Sequence, residues 1–139
     1  MVDRDVVLAK IAQIDYALLR MQQTQSRSAL SAAEREELLE LHLQRAAQAA
    51  IDLAAHVIAT ENYELPDAIG RSFAILAEHQ VISDELAERL RRMAGFRNVA
   101  VHQYERLQPE IVESIVKTNL ADVKEFCNAL IERFKIARS

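Results

Sequence analysis

Residues 39–58 read Leu-Glu-Leu-His-Leu-Gln-Arg-Ala-Ala-Gln-Ala-Ala-Ile-Asp-Leu-Ala-Ala-His-Val-Ile, and two apolar stripes run through them at helical spacing. Leu39, Leu43, Ala46, Ala50, Leu53 and Val57 make one seam; Ala47, Ile51, Ala54 and Ile58 make a second beside it. Steps of three and four residues bring side chains to one face of an α-helix. Two such stripes bury more than a surface helix needs to. Alanine at half of the positions from Ala46 to Ala59 lets neighbouring helices approach closely. The stretch predicts a helix inside a bundle.

Working outward, Ser31-Ala-Ala-Glu34 is a capping box that starts this helix, hydroxyl and carboxylate each satisfying an orphan amide. The helix runs to about Glu61. Before it, Val7, Ile11, Ile14, Leu18 and Met21 form the stripe of a first helix from about Asp3 to Gln23. After it, Asn62 to Gly70, with Pro66, is the main loop, and a short helix from about Ser72 to His79 carries Phe73, Leu76 and Ala77 inward. Ser83 caps a fourth helix, with Asp84 and Glu85 in its positive first turn. Pro109 opens a fifth that continues to about Ile136, with Val112, Val116, Val123, Cys127, Leu130 and Phe134 inward. The reading is one all-α domain over 1–139: an antiparallel four-helix bundle with one additional short helix.

Composition agrees. Of 139 residues 50% are apolar and 27% charged, so a single core can form and intrinsic disorder is excluded. With 2 Gly and 2 Pro there are too few turn residues for an all-β or Rossmann-type domain. Cys127 is the only cysteine and sits in an apolar stripe, which suits a buried structural thiol and excludes an internal disulfide or a cysteine-based zinc site. His56 lies one turn beyond Asp52 and reads as its local hydrogen-bonded partner. His42 and His79 have no partner at metal-ligand spacing, so neither a metal nor another cofactor is expected. Acids in Met-Val-Asp-Arg-Asp and the lack of an eighteen-residue apolar run predict a cytoplasmic protein with no membrane role.

The chemistry concentrates in the fourth helix. Its stripe Leu86, Leu90, Met93 continues at the same spacing onto Arg97, Val101 and Tyr104. A guanidinium at a core-stripe position must meet a carboxylate, reach water through a cleft or face a second chain, because burying it unpaired is very costly. Asn98 and His102 are four apart and share a face; Arg97 and His102 are five apart, about 140° around a regular helix. They converge on one small anion only if both reach round or the helix loosens near His102. Arg provides a fixed positive fork for phosphate and His exchanges a proton near neutrality, a pair suited to phosphodiester transfer without a metal.

The net charge of −4 opposes a general affinity for nucleic acid, but it is unevenly spread. Residues 1–70 carry a net −5, whereas 89–106 holds Arg89, Arg91, Arg92, Arg97 and Arg106 against Glu105 alone, a net +4. Arg89, Arg91, Arg92 and Arg106 are therefore the candidate nucleic-acid-binding residues. An ordinary solvated helix face explains the first three equally well.

The block Arg91-Arg-Met-Ala-Gly-Phe-Arg-Asn-Val-Ala-Val-His-Gln-Tyr104 resembles the Arg-x4-His-x-Tyr motif, with its flanks, of the HEPN ribonuclease toxins, in particular their HepT-like branch. The resemblance implies a HEPN-like bundle and a homodimer whose motifs face each other across a cleft. It implies metal-independent RNA cleavage there by Arg97 and His102 with help from Asn98, and a small nucleotidyltransferase antitoxin of the MNT type. It also implies that Tyr104 accepts AMP from that partner. A phosphate on Tyr104, two residues from His102, would compete with RNA for the Arg97 guanidinium. Two other readings fit the same residues: a noncatalytic module that docks to and is modified by the nucleotidyltransferase, and a helical dimerisation adaptor in which Arg97 forms an interfacial ion pair.

Overall fold

A computed structural model describes the backbone of residues 2–68, 70–103 and 109–137, and the side chains among these except at 96–113, 115 and 116. Among the described residues there are five helices: α1 (Arg4–Ser26), α2 (Ala32–Thr60), α3 (Arg71–Glu78), α4 (Asp84–Gln103) and α5 (Pro109–Arg133). Among the described residues there is no strand. No described helix is long and apolar enough to cross a membrane.

The helix starts follow from local side-chain chemistry. Asp3 accepts from the backbone N–H groups of Asp5 and Val6 at the start of α1. The capping box opens α2, Glu34 N–H donating to Ser31 Oγ at 3.1 Å and Ser31 N–H to Glu34 Oε1 at 3.2 Å. Ser83 Oγ accepts from Leu86 N–H at 3.1 Å ahead of α4.

The stops are less expected in a chain with 2 Gly. Asn62, Gln80 and Lys135 take positive φ of 58°, 62° and 51° directly after α2, α3 and α5. In each case the next residue reaches back five places: Tyr63 N–H to Ile58 O, Val81 N–H to Leu76 O, Ile136 N–H to Ile131 O, at 2.9, 2.9 and 3.0 Å. These are Schellman caps, completed by an apolar pair across each turn. Left-handed backbone is disfavoured for a residue with a Cβ, so packing of Tyr63, Val81 and Ile136 on the core must hold the turns.

The helices alternate in direction. Lys10 pairs with Asp52 at 3.3 Å across α1 and α2, and Arg35 donates to the Arg27 carbonyl at 2.6 Å near their connection. At the other end of this hairpin, Asp3 N–H donates to His56 Nε2 at 3.2 Å and Arg4 donates to the Ala137 carbonyl at 2.8 Å. The carboxyl ends of α2 and α5 therefore share one end of the bundle. α4 runs antiparallel to α5, so its own carboxyl end lies at the opposite end, beside the α1–α2 connection.

α2 is the hub, packing against all four other helices. Every member of both stripes read in its sequence is buried, as are Val7, Ile11, Ile14, Leu18 and Met21 of α1. Val123, Cys127 and Leu130 of α5 are buried and Phe134 is partly so, while the side chains of Val112 and Val116 lie outside the described residues. Phe126, absent from the predicted stripe, is fully buried and packs edge-on against Phe73 with ring centroids 5.7 Å apart. The expected Asp52–His56 pair is replaced: Asp52 accepts from Lys10 and Gln48, and His56 accepts from Asp3 N–H. Tertiary neighbours on α1 outcompete the local contact.

His42 is buried between α1 and α2, and its Nδ1 has no hydrogen-bond partner among the described residues. Burial, then Arg45 and Arg20, hold its imidazole below the ordinary value of 6.5. The unfolded chain therefore takes up a proton below pH 6.5 that the folded chain refuses. Stability contributed by neutral His42 is present above that pH and is lost as pH falls toward the folded-state value, by at most about 1.4 kcal/mol per pH unit. Urea unfolding at pH 7.5 and 5.5 should show a smaller loss in His42→Leu than in the wild type. Independently, Gln80→Gly should raise stability by about 0.5–1 kcal/mol by relieving the left-handed position, read as a higher urea midpoint at unchanged slope.

Candidate functional site

α4 carries the site. Leu86, Leu90 and Met93 are buried, each at 2% exposure or less, so the stripe that leads to Arg97 is the one that packs into the bundle. The backbone is helical through Arg97, Asn98 and His102 as far as Gln103, the last described residue before 109. The helix is regular up to His102, and the residues directly after Gln103, where loosening near His102 would also fall, lie outside the described residues. Arg97 and His102 stand about 140° apart around α4, and Asn98 and His102 are one turn apart. The side chains of Arg97, Asn98 and His102 are not among those described, and Tyr104 and Arg106 lie outside the described residues altogether.

The three described arginines differ from one another. Arg89 Nε lies 2.9 Å from Asp122 Oδ1 and its Nη2 2.6 Å from Glu125 Oε2, so it ties α4 to α5. Asp122 is buried; that burial raises its carboxyl above the usual range, and the Arg89 charge works against the rise. Arg91 clasps Glu88 through Nε at 2.9 Å and Nη2 at 2.6 Å, and Arg92 approaches the same carboxylate at 3.5 Å. Glu88 is held below its ordinary value, first by the Arg91 hydrogen bond. The side chains of Arg91 and Arg92 are 55% and 72% exposed, so both remain within reach of a large ligand.

In space the +4 of residues 89–106 is therefore offset by Glu88, Asp122 and Glu125, which a window along the chain does not see. Each of these three acids lies one helical turn along α4 from the arginines or on a neighbouring helix. Only the i, i+3 and i, i+4 spacings of Glu88 to Arg91 and Arg92 were signals open to sequence reasoning.

Two further buried polar groups belong to this half of the bundle. Asn119 of α5 is buried with its Nδ2 unpartnered among the described residues. Glu40 of α2 is 8% exposed and accepts a hydrogen bond from Gln44 Nε2 at 3.4 Å. Burial pushes the Glu40 carboxyl up to about 7; the Gln44 bond opposes this and Glu36 adds to it. The sequence did carry a signal for Glu40: extending the second stripe of α2 upstream by one heptad from Ala47 arrives at it.

The chain matches the family model described as Ribonuclease HepT-like over residues 8–130. It is similar to the mRNA nuclease HepT of Shewanella oneidensis, 31% identical over 128 residues, or 91% of this chain and 96% of that protein. The tRNA nuclease HepT of Aphanizomenon flos-aquae is 31% identical over 83 residues, 60% of this chain and 56% of that protein. Among solved structures, the tri-AMPylated Shewanella oneidensis HEPN toxin in complex with an MNT antitoxin superposes with a TM-score of 0.84 at 30% identity, over 92% of this chain and 98% of that one.

Proposed function

The chain belongs to the Ribonuclease HepT-like family, and from that membership we propose that it is the toxin of a toxin–antitoxin pair, a metal-independent endoribonuclease acting at a homodimer cleft. The observation that carries this reading is the continuation of a buried core stripe, on an unbroken helix, onto Arg97, with Asn98 and His102 on the same final turns. Support comes from relatives named as nucleases of two different RNAs, mRNA and tRNA. RNA is the shared chemical class, so RNA is the proposed substrate.

In this mechanism His102 takes the proton from a ribose 2′-hydroxyl, whose oxygen attacks the adjacent phosphorus. The bond to the 5′-oxygen breaks, and a proton is returned to that leaving oxygen. Arg97 stabilises the charge gathering on the phosphoryl oxygens, and Asn98, one turn below His102, orients the imidazole. A separation of about 140° between Arg97 and His102 on one helix favours a site completed by both copies of the motif across a two-fold axis.

RNA is held outside the reacting phosphate by Arg91, Arg92 and Arg106. The Glu88 contacts of the first two are exposed helix pairs of the kind worth little in water, and an RNA phosphate can displace them. Arg89, already engaged by Asp122 and Glu125, contributes chiefly by fixing α4 on α5. The partner is an MNT-type nucleotidyltransferase that transfers AMP to the Tyr104 hydroxyl, releasing pyrophosphate from ATP. The added phosphate then competes with RNA for Arg97.

Purified Arg97→Ala and His102→Ala, shown to be folded by circular dichroism, should each lose at least about 100-fold in RNA cleavage rate. Wild-type rates in either variant would refute the catalytic assignment, and a wild-type chain inert toward RNA would favour the noncatalytic docking module. Incubation with ATP and the nucleotidyltransferase should add AMP mass to the peptide containing Tyr104, and Tyr104→Phe should abolish that addition.

A further inference from the structure

Between α1 and α2 lies a groove of about 320 Å³, at the small end of the range for small-molecule sites. Ala17 and Ala49 make its floor; they are 2% and 3% exposed, and side chains that stop at Cβ leave a depression where the two helices pack. Gln13 and Tyr16 of α1 line one side, and Arg45, Gln48 and Asp52 of α2 line the other. Among the described residues α1 has no contact with α4, so this groove is separate from the helix that carries the motif.

Its rim holds groups that the fold does not use. Tyr16 is 58% exposed, and neither it nor Gln13 nor Arg45 makes a hydrogen bond, ion pair or ring contact with a described residue. Asp52, the one acid on the rim, is already engaged at both oxygens: Lys10 Nζ lies 3.3 Å from Oδ2, and Gln48 Nε2 donates to Oδ1 at 2.9 Å. The Arg45 charge is therefore not cancelled by a neighbour. After burial, Arg45 and then Arg20 are what hold the His42 imidazole below its ordinary value. The two guanidiniums thus set a positive potential on this part of the hairpin, although residues 1–70 are acidic in total.

We propose that this groove binds one nucleotide, its base stacked on the Tyr16 ring above the alanine floor and its phosphate held by the Arg45 guanidinium. Stacking uses the π-face that every base has, and Arg meets a phosphate with two parallel N–H bonds. The Gln13 amide, both donor and acceptor, and Gln48 Oε1, which the bond to Asp52 does not use, face the base edge. Bases inside a duplex have their faces covered by neighbours. The ligand is accordingly a nucleotide of a single strand or a free nucleotide.

Binding in this groove does not depend on cleavage at Arg97 and His102, so the test reads binding alone. Fluorescence anisotropy follows a labelled single-stranded RNA oligonucleotide whose 2′-hydroxyls are methylated, which removes the attacking nucleophile. Calorimetry follows AMP and UMP. Tyr16→Ala and Arg45→Ala, both at exposed positions, should each raise Kd at least about fivefold, and Tyr16→Phe, which keeps the ring, should stay within about twofold of wild type. Weakening seen with the oligonucleotide supports the site and assigns it to an RNA strand; weakening seen only with AMP or UMP supports it as a free-nucleotide site. Wild-type Kd for every probe in both alanine variants would overturn the proposal, as would a wild-type protein that binds neither the oligonucleotide nor a mononucleotide.

Discussion

The packing of α2 against four other helices is the constraint on which the rest of the structure depends. A helix of 29 residues in contact with α1, α3, α4 and α5 must present small side chains where neighbours converge. Ala46, Ala47, Ala49, Ala50 and Ala54, all buried, allow that approach, and Leu53, Val57 and Ile58 fill the wider gaps. The other helices need only one good face each, because α2 supplies the complementary surface. One of those helices is α4, which carries the candidate site.

Charge placement follows from the same geometry. Arg89 reaches across to Asp122 and Glu125 and sets α4 against α5 about two turns before Arg97. A latch at that distance defines the rotation of α4 and so the direction in which its last turns present the motif. The cost of burying Asp122 is evident in its raised carboxyl pKa despite the adjacent guanidinium. Glu88, in contrast, pairs with Arg91 and Arg92 at the surface, where the contacts are cheap to exchange.

Helix stops show where local rules were insufficient. The starts at Asp3, Ser31 and Ser83 are side-chain caps and could be read from residue type and spacing. The ends at Asn62, Gln80 and Lys135 use left-handed backbone without glycine. A polar residue followed by Tyr63, Val81 or Ile136 has no distinctive local pattern; what holds the turn is the apolar residue seating on the core after the chain has folded. The same distinction separates Phe126, buried by α3 and outside the predicted stripe, from Val123, Cys127 and Leu130, which periodicity found.

By itself the sequence determined the all-α class, the five helices, both buried stripes of α2, and the motif at Arg97, Asn98, His102 and Tyr104, because helical periodicity, capping and motif spacing are properties of neighbours along the chain. Tertiary structure alone decided that Arg89 belongs to Asp122 and Glu125, that Asp52 pairs with Lys10 and not with His56, and that Glu40 and His42 are buried charge-bearing groups. Pairing and desolvation depend on which surfaces the bundle brings together, and residues 33 or more positions apart, such as Arg89 and Asp122, carry no mark of that meeting until the helices pack.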